Sequence, residues 1–182
     1  MNLPDITLIS FGYFEKDLLE KVAEAVRGEF RCQLNIKEGH IDLSEFYDSG
    51  RRQYNGNNLL KYIAAFPVPD SGKTLGLFSV DLYIPILTYI FGQAHLGGST
   101  GIASLYRLNN ECYGLMADKN LLTDRFRKEV IHELGHTFGL IHCNNPTCVM
   151  RSSTYVEDID QKDHTLCPGC RREIGKTWDV GT

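Results

Sequence analysis

Residues 132–143 read HELGHTFGLIHC, and this run constrains the fold more than any other stretch of the chain. Two histidines four residues apart share one face of a helix, about one turn from each other. His132 and His136 therefore call for a helix. Gly139 can adopt the left-handed conformation that ends a helix and turns the chain sharply, so that His142 returns from another direction. Three imidazoles meeting at one point leave the fourth tetrahedral position of a zinc ion open, which marks a catalytic rather than a structural site. Glu133, between the two helical histidines, can reach a water at that position. An exposed helix with incidental histidine spacing is the bland alternative.

The cysteine that follows His142 with no spacer points to a second site. Of six cysteines, Cys143, Cys148, Cys167 and Cys170 cluster after the third histidine, whereas Cys32 and Cys112 are isolated. Cys167-Pro-Gly-Cys170 suits a tight turn that aims both sulfurs at one ion, and four thiolates make a closed, structural zinc site. Disulfides are the competing reading, and a thioredoxin-like role for CPGC a weaker one. In an extended segment, successive side chains face opposite sides. His142 then faces the catalytic ion and Cys143 the structural one, so the closed site holds the backbone that presents the third histidine. Arg171 and Arg172 follow the last pair, where they could offset thiolate charge or be ordinary surface arginines.

Composition limits the alternatives. A chain of 182 residues, 42% hydrophobic, supports one compact domain spanning 1–182, with the four-cysteine element within 143–170. A formal net charge of −4 gives no field to attract nucleic acid and argues weakly against a membrane surface. No apolar window is long enough for a transmembrane helix, and the N-terminal MNLPDITLISFGYF has no signal-peptide pattern. The expectation is a cytoplasmic monomer, where reduced thiols favour metal over disulfides.

Along the chain, ITLISFGYF (6–14) has strand character, and helix spacing follows in Leu18, Val22 and Val26, with Gly28 as the expected stop. RCQLNIKE (31–38) alternates as a half-buried strand, so the opening is β-α-β and suggests a parallel pair. NLLKYIAAF predicts a helix ended by Pro67. TLGLFSVDLYIP (74–85) and GIASLYRL (101–108) each contain a strand, the second reached through the glycine-rich FGQAHLGGSTG. Phe126, Val130, Leu134 and Phe138 mark the helix that bears His132 and His136, with Thr123 as its expected N-cap. The segment from Ile141 onward reads as irregular. The class is α/β.

The run H-E-x-x-H-x-x-G-x-x-H followed by Met150 resembles the metzincin clan of zinc endopeptidases. CNNPTCVM, CPGC and the upstream stretch VDLYIPILTYIFGQAHLGGSTGIASLYRL resemble one branch of it, the archaemetzincins, over the C-terminal two-thirds of the chain. The resemblance implies a compact metzincin-like domain with a mixed, mostly parallel sheet, an active-site helix and a C-terminal four-cysteine zinc element. It implies two zinc ions per chain. His132, His136 and His142 would be ligands of the catalytic zinc, Glu133 the general base and Met150 the methionine beneath the metal. Met150 by itself would read as plain core. Ser152 stands where some metzincins have a metal-binding tyrosine, and the interval from Met150 to Cys167 is a residue short, which a loop can absorb.

The expected activity is hydrolysis of peptide bonds, with a peptide or protein substrate pairing with an exposed edge strand near AHLGGSTG. His95 in that segment is either a substrate contact or a plain loop histidine. His40 and His164 have no assigned role. A zinc-stabilised module that binds peptides or proteins without cutting them is the second reading, and the carboxylate of Glu133, which such a module would not need, separates the two.

Overall fold

The computed structural model describes residues 3–66 and 72–179. Strand β1 (Asp5–Phe11) leads into helix α1 (Lys16–Phe30) and returns as β2 (Gln33–Gly39), paired parallel to β1 with Ile6 opposite Leu34. A short strand β3 (Tyr47–Asp48), strand β4 (Gln53–Asn55) and helix α2 (Gly56–Ala64) follow. The chain continues through β5 (Lys73–Phe78), β6 (Leu82–Tyr83), β7 (Gly92–Ala94) and β8 (Thr100–Ser104) to the long helix α3 (Lys119–Thr137). Helices α4 (Val156–Asp160) and α5 (Pro168–Asp179) complete the described chain. The main sheet has the order β2-β1-β5-β8-β7, parallel except for β7, which runs antiparallel along β8 at one edge. Strands β3, β4 and β6 form a small second sheet.

The period-two geometry of β1 divides the core. Ile6 and Leu8 face the layer of α1 and α3, while Ile9 and Phe11 face α2. β5 follows suit, with Leu75 and Leu77 on the first face and Phe78 on the second. Helices on both faces explain why these strands are nearly continuous in apolar residues.

Several local expectations give way to tertiary contacts. α1 runs past Gly28, because Phe30 is fully buried and stacks on Phe138 with ring centroids 5.2 Å apart. Its left-handed cap is Arg31. α3 starts five residues earlier than a cap at Thr123 implies: the Asp118 carboxylate caps it by accepting from Leu121 N at 2.9 Å, and the Thr123 hydroxyl instead donates to the Lys119 carbonyl within the helix. The region after Ile141 is not wholly irregular. CPGC opens α5, with Pro168 at the first helical position, where its missing N–H costs nothing. β2 is an edge strand and more exposed than its alternation suggested, with Ile36 41% exposed. Pro67 lies outside the described residues.

Replacing Asp118 by alanine should lower the unfolding free energy by about 1 kcal/mol, read as a lower urea midpoint at an unchanged slope. No shift at all would mean that α3 gains nothing from this cap.

Candidate active site

Helix α3 is buried nearly all round, so its functional side chains sit inside the protein rather than on it. His132 and His136 project from one face as their spacing requires. His132 Nδ1 lies 2.8 Å from the Val149 carbonyl and His136 Nδ1 lies 2.7 Å from the Leu140 carbonyl. A carbonyl only accepts, so each ring carries its proton on Nδ1 and presents a bare lone pair at Nε2. Those two Nε2 atoms face each other at 3.1 Å. Two lone pairs that close repel unless a cation lies against both.

Gly139 makes the sharp exit from α3, at φ +90°. The returning chain brings His142 to ring-centroid distances of 5.3 and 4.9 Å from His132 and His136. One nitrogen from each ring falls within 4.8 Å of the others. Nitrogen ligands about 2.05 Å from a tetrahedral zinc lie about 3.3 Å apart, so the donor set fits that ion. Burial lowers the pKa of all three rings, and Lys162 adds to the effect. The shift favours the neutral ring, the form that a metal ligand takes.

A short turn behind His132 holds this arrangement through three successive carbonyls. That of Val149 accepts from His132 Nδ1 and from Lys162 Nζ at 3.2 Å. That of Met150 accepts from Cys143 N at 2.9 Å, and that of Arg151 from Lys162 Nζ at 2.8 Å. Met150 is fully buried against Gly135, where any Cβ would run into its sulfur. Glycine between the two histidines of α3 is thus a packing requirement.

The four cysteines form the second cluster. Cys143 and Cys167 sulfurs lie 3.8 Å apart, as do those of Cys148 and Cys170. A disulfide would be about 2.05 Å, whereas thiolates about 2.3 Å from a tetrahedral zinc lie about 3.8 Å apart. The backbone N–H of Cys170, in the first turn of α5, draws the Cys167 thiol down to about 7, within reach of the thiolate a metal needs. Cys143 lies one residue from His142 and falls in the other cluster, so the adjacent side chains diverge.

Glu133 lies in an open cleft of about 430 Å³ whose walls include β7, the three histidines and Ser152–Thr154. The carboxylate is only 4% exposed. Burial pushes its pKa well up, the charge and carboxyl group of Glu129 push it further, and Lys162 pulls it back. β7 passes directly over it. A Cβ on Gly92 would lie 2.7 Å from Glu133 Cγ and 2.7 Å from the Ile102 carbonyl, so only glycine fits there. Among the described residues, the buried side-chain polar atoms without a partner are Glu133 Oε2, Gln93 Oε1 and Ser153 Oγ, and all three residues line this cleft. Buried polar atoms are nearly always paired, so their concentration here marks where a ligand completes the site.

His95 is exposed on the turn after β7 and outside the cleft wall. His164 stands apart from the cysteine cluster. Arg171 is committed to Glu29, at 3.0 Å, and to the Leu166 carbonyl, at 3.1 Å. Glu129, Lys162, Gly92, Gln93 and Ser153 went unrecognised in the sequence. Glu129 sits one helical turn before Glu133 and could have been noticed on that spacing; the others carry no local signal.

The model of peptidase family M54 matches residues 5–176. The chain belongs to that family. The match extends to β1, further toward the N-terminus than the motif resemblance reached. An archaemetzincin of Pyrococcus abyssi is 38% identical over 178 residues, covering 94% of this chain and 94% of its own. The crystal structure of an archaemetzincin from Methanopyrus kandleri superposes with a TM-score of 0.84 at 29% identity, covering 97% of this chain and 96% of that one. A structure from Methanocorpusculum labreanum described as a zinc-dependent peptidase gives a TM-score of 0.81 at 30% identity, covering 93% and 99%. This family member is a zinc metallopeptidase acting on peptides, and the non-cutting binding module is set aside. None of its described helices is long and apolar enough to cross a membrane.

Gly92→Ala should push Glu133 out of place while leaving the histidines untouched. A fall in kcat/KM of about a hundredfold at unchanged zinc content is expected; wild-type turnover in the variant would refute the close approach.

Proposed function

We propose that His132, His136 and His142 hold the catalytic zinc, that Glu133 is the general base, and that Cys143, Cys148, Cys167 and Cys170 hold a structural zinc. The observation carrying this assignment is the pair of Nε2 lone pairs facing each other at 3.1 Å with both Nδ1 atoms already donating. A zinc ion there supplies Lewis-acid polarisation of the peptide carbonyl and a lowered pKa for water. Glu133 takes the proton of the attacking water and returns it to the leaving amine. Its unpaired Oε2 is the atom free to do so. The substrate adds as an extended strand along β7, whose position at the sheet edge and in the cleft wall supports that docking. Met150 packs beneath the helical histidines and fixes their support.

Two spatially separate donor clusters support a count of two zinc ions. The protein is read as cytoplasmic on the strength of its free thiols, which a thiolate cluster needs.

The test is digestion of a diverse peptide library by zinc-loaded protein beside a Glu133→Ala control, read by mass spectrometry. Turnover should fall by a factor of about 10² to 10⁴ in the control with zinc content unchanged; equal cleavage by both proteins would remove Glu133 from the mechanism. Cys143→Ala leaves every histidine in place yet loosens the backbone that presents His142. Its catalytic-site zinc Kd should rise about 10- to 100-fold, and a Kd equal to the parent's would show that the two clusters are independent.

A further inference from the structure

Among the described residues lining the cleft, Lys162 alone brings an ammonium or guanidinium group. It is 3% exposed. Glu129, on the same wall and one turn before Glu133, is 4% exposed. Neither is used in the reaction as assigned above. Both are costly to bury, since a charge taken out of water needs partners to offset its lost hydration.

Their partners show what they hold. Two of the three N–H bonds of Lys162 end on the carbonyls of Val149, at 3.2 Å, and Arg151, at 2.8 Å, which flank Met150. The Val149 carbonyl is also the acceptor for His132 Nδ1. Lys162 therefore fixes the atom that orients a ligand ring, and it does so from a segment distinct from both α3 and the turn. On its other side its charge acts on Glu129 and Glu133 together. Glu129 stands one helical turn before Glu133 on α3, and both line the cleft with Lys162, so two carboxyl groups share one wall with a single ammonium.

We propose that Lys162 and Glu129 are positioning residues for peptide hydrolysis: Lys162 locks the Val149 carbonyl that orients His132, and the two together hold the Glu133 side chain in the cleft. The inference rests on the assignment of His132 and Glu133 made above.

The experiment compares Lys162→Met, Glu129→Gln and the double variant with the parent. It reads the catalytic-site zinc Kd by competition with a chromophoric chelator, and kcat and KM separately on zinc-saturated protein. Lys162→Met should raise the zinc Kd about 10- to 100-fold and lower kcat at an unchanged KM. Removing the second charge in the double variant should recover part of the lost kcat, a coupling that mere loss of stability would not produce. Zinc Kd and kcat both within twofold of the parent would overturn the proposal, as would strictly additive losses. Should Lys162→Met fail to fold, Glu129→Gln decides: a fall in kcat at an unchanged zinc Kd supports the proposal, and parental kcat overturns it. If Glu133→Ala still cleaves, the assignment of the base has failed, and the zinc Kd of Lys162→Met still judges the role of Lys162.

Discussion

The hydrogen bond from His132 to the Val149 carbonyl is the constraint on which the site depends. It fixes the tautomer of a buried ring, and thereby leaves the Nε2 lone pair facing His136. The carbonyl can do this only because the turn around Met150 is itself immobilised. Its next carbonyl is taken by Cys143 N, its third by Lys162, and its apolar centre fills the gap over Gly135. The cysteine cluster closes the arrangement, since Cys143 and Cys148 bracket the segment that leads from the third histidine into the turn. The cysteine cluster is thus tied to the histidine cluster through backbone rather than through any shared side chain.

The electrostatics of the cleft follow the same economy. In this cleft Glu129, Glu133, His132 and Lys162 are shut off from water, whereas His136 is half-buried and His142 exposed. Burial disfavours every charge there, and only opposed charges or a bound cation offset it. The sheet contributes by proximity. β7 can pass over Glu133 because Gly92 has no side chain, and the turn after β7 is held to the end of α3 by Gly97 N on the His136 carbonyl and by Lys73 on the Gly98 and Thr137 carbonyls. The sheet edge at β7 and the helix that bears His132 and His136 are therefore tied into one assembly.

Much of this was legible in sequence because it is encoded over short intervals. The i, i+4 spacing of His132 and His136, the left-handed glycine at 139 and the alternation of His142 and Cys143 are local geometry, and each appears where the spacing put it. The misplaced boundaries share one cause. Gly28 looked like a stop and Thr123 like a cap on propensity alone, but the burial of Phe30 against Phe138 and the reach of the Asp118 carboxylate decided the helix ends. Likewise the opening of α5 by CPGC reflects Pro168 at a helix start, which spacing of ligands does not reveal.

The sequence by itself determined which histidines and which cysteines gather into two separate clusters, because their spacing is a property of the chain. It also determined the α/β class, which hydrophobic periodicity carries. Only the tertiary structure decided which groups surround those donors. Lys162 reaches the Val149 carbonyl, and Gly92 lets β7 pass over Glu133, because separate segments pack together. Such contacts depend on the register of β7 on β8 and on how α4 docks on α3, where Arg125 grips Asp160 at 2.7 Å. No local pattern records those distances, since each arises from the burial of the whole core.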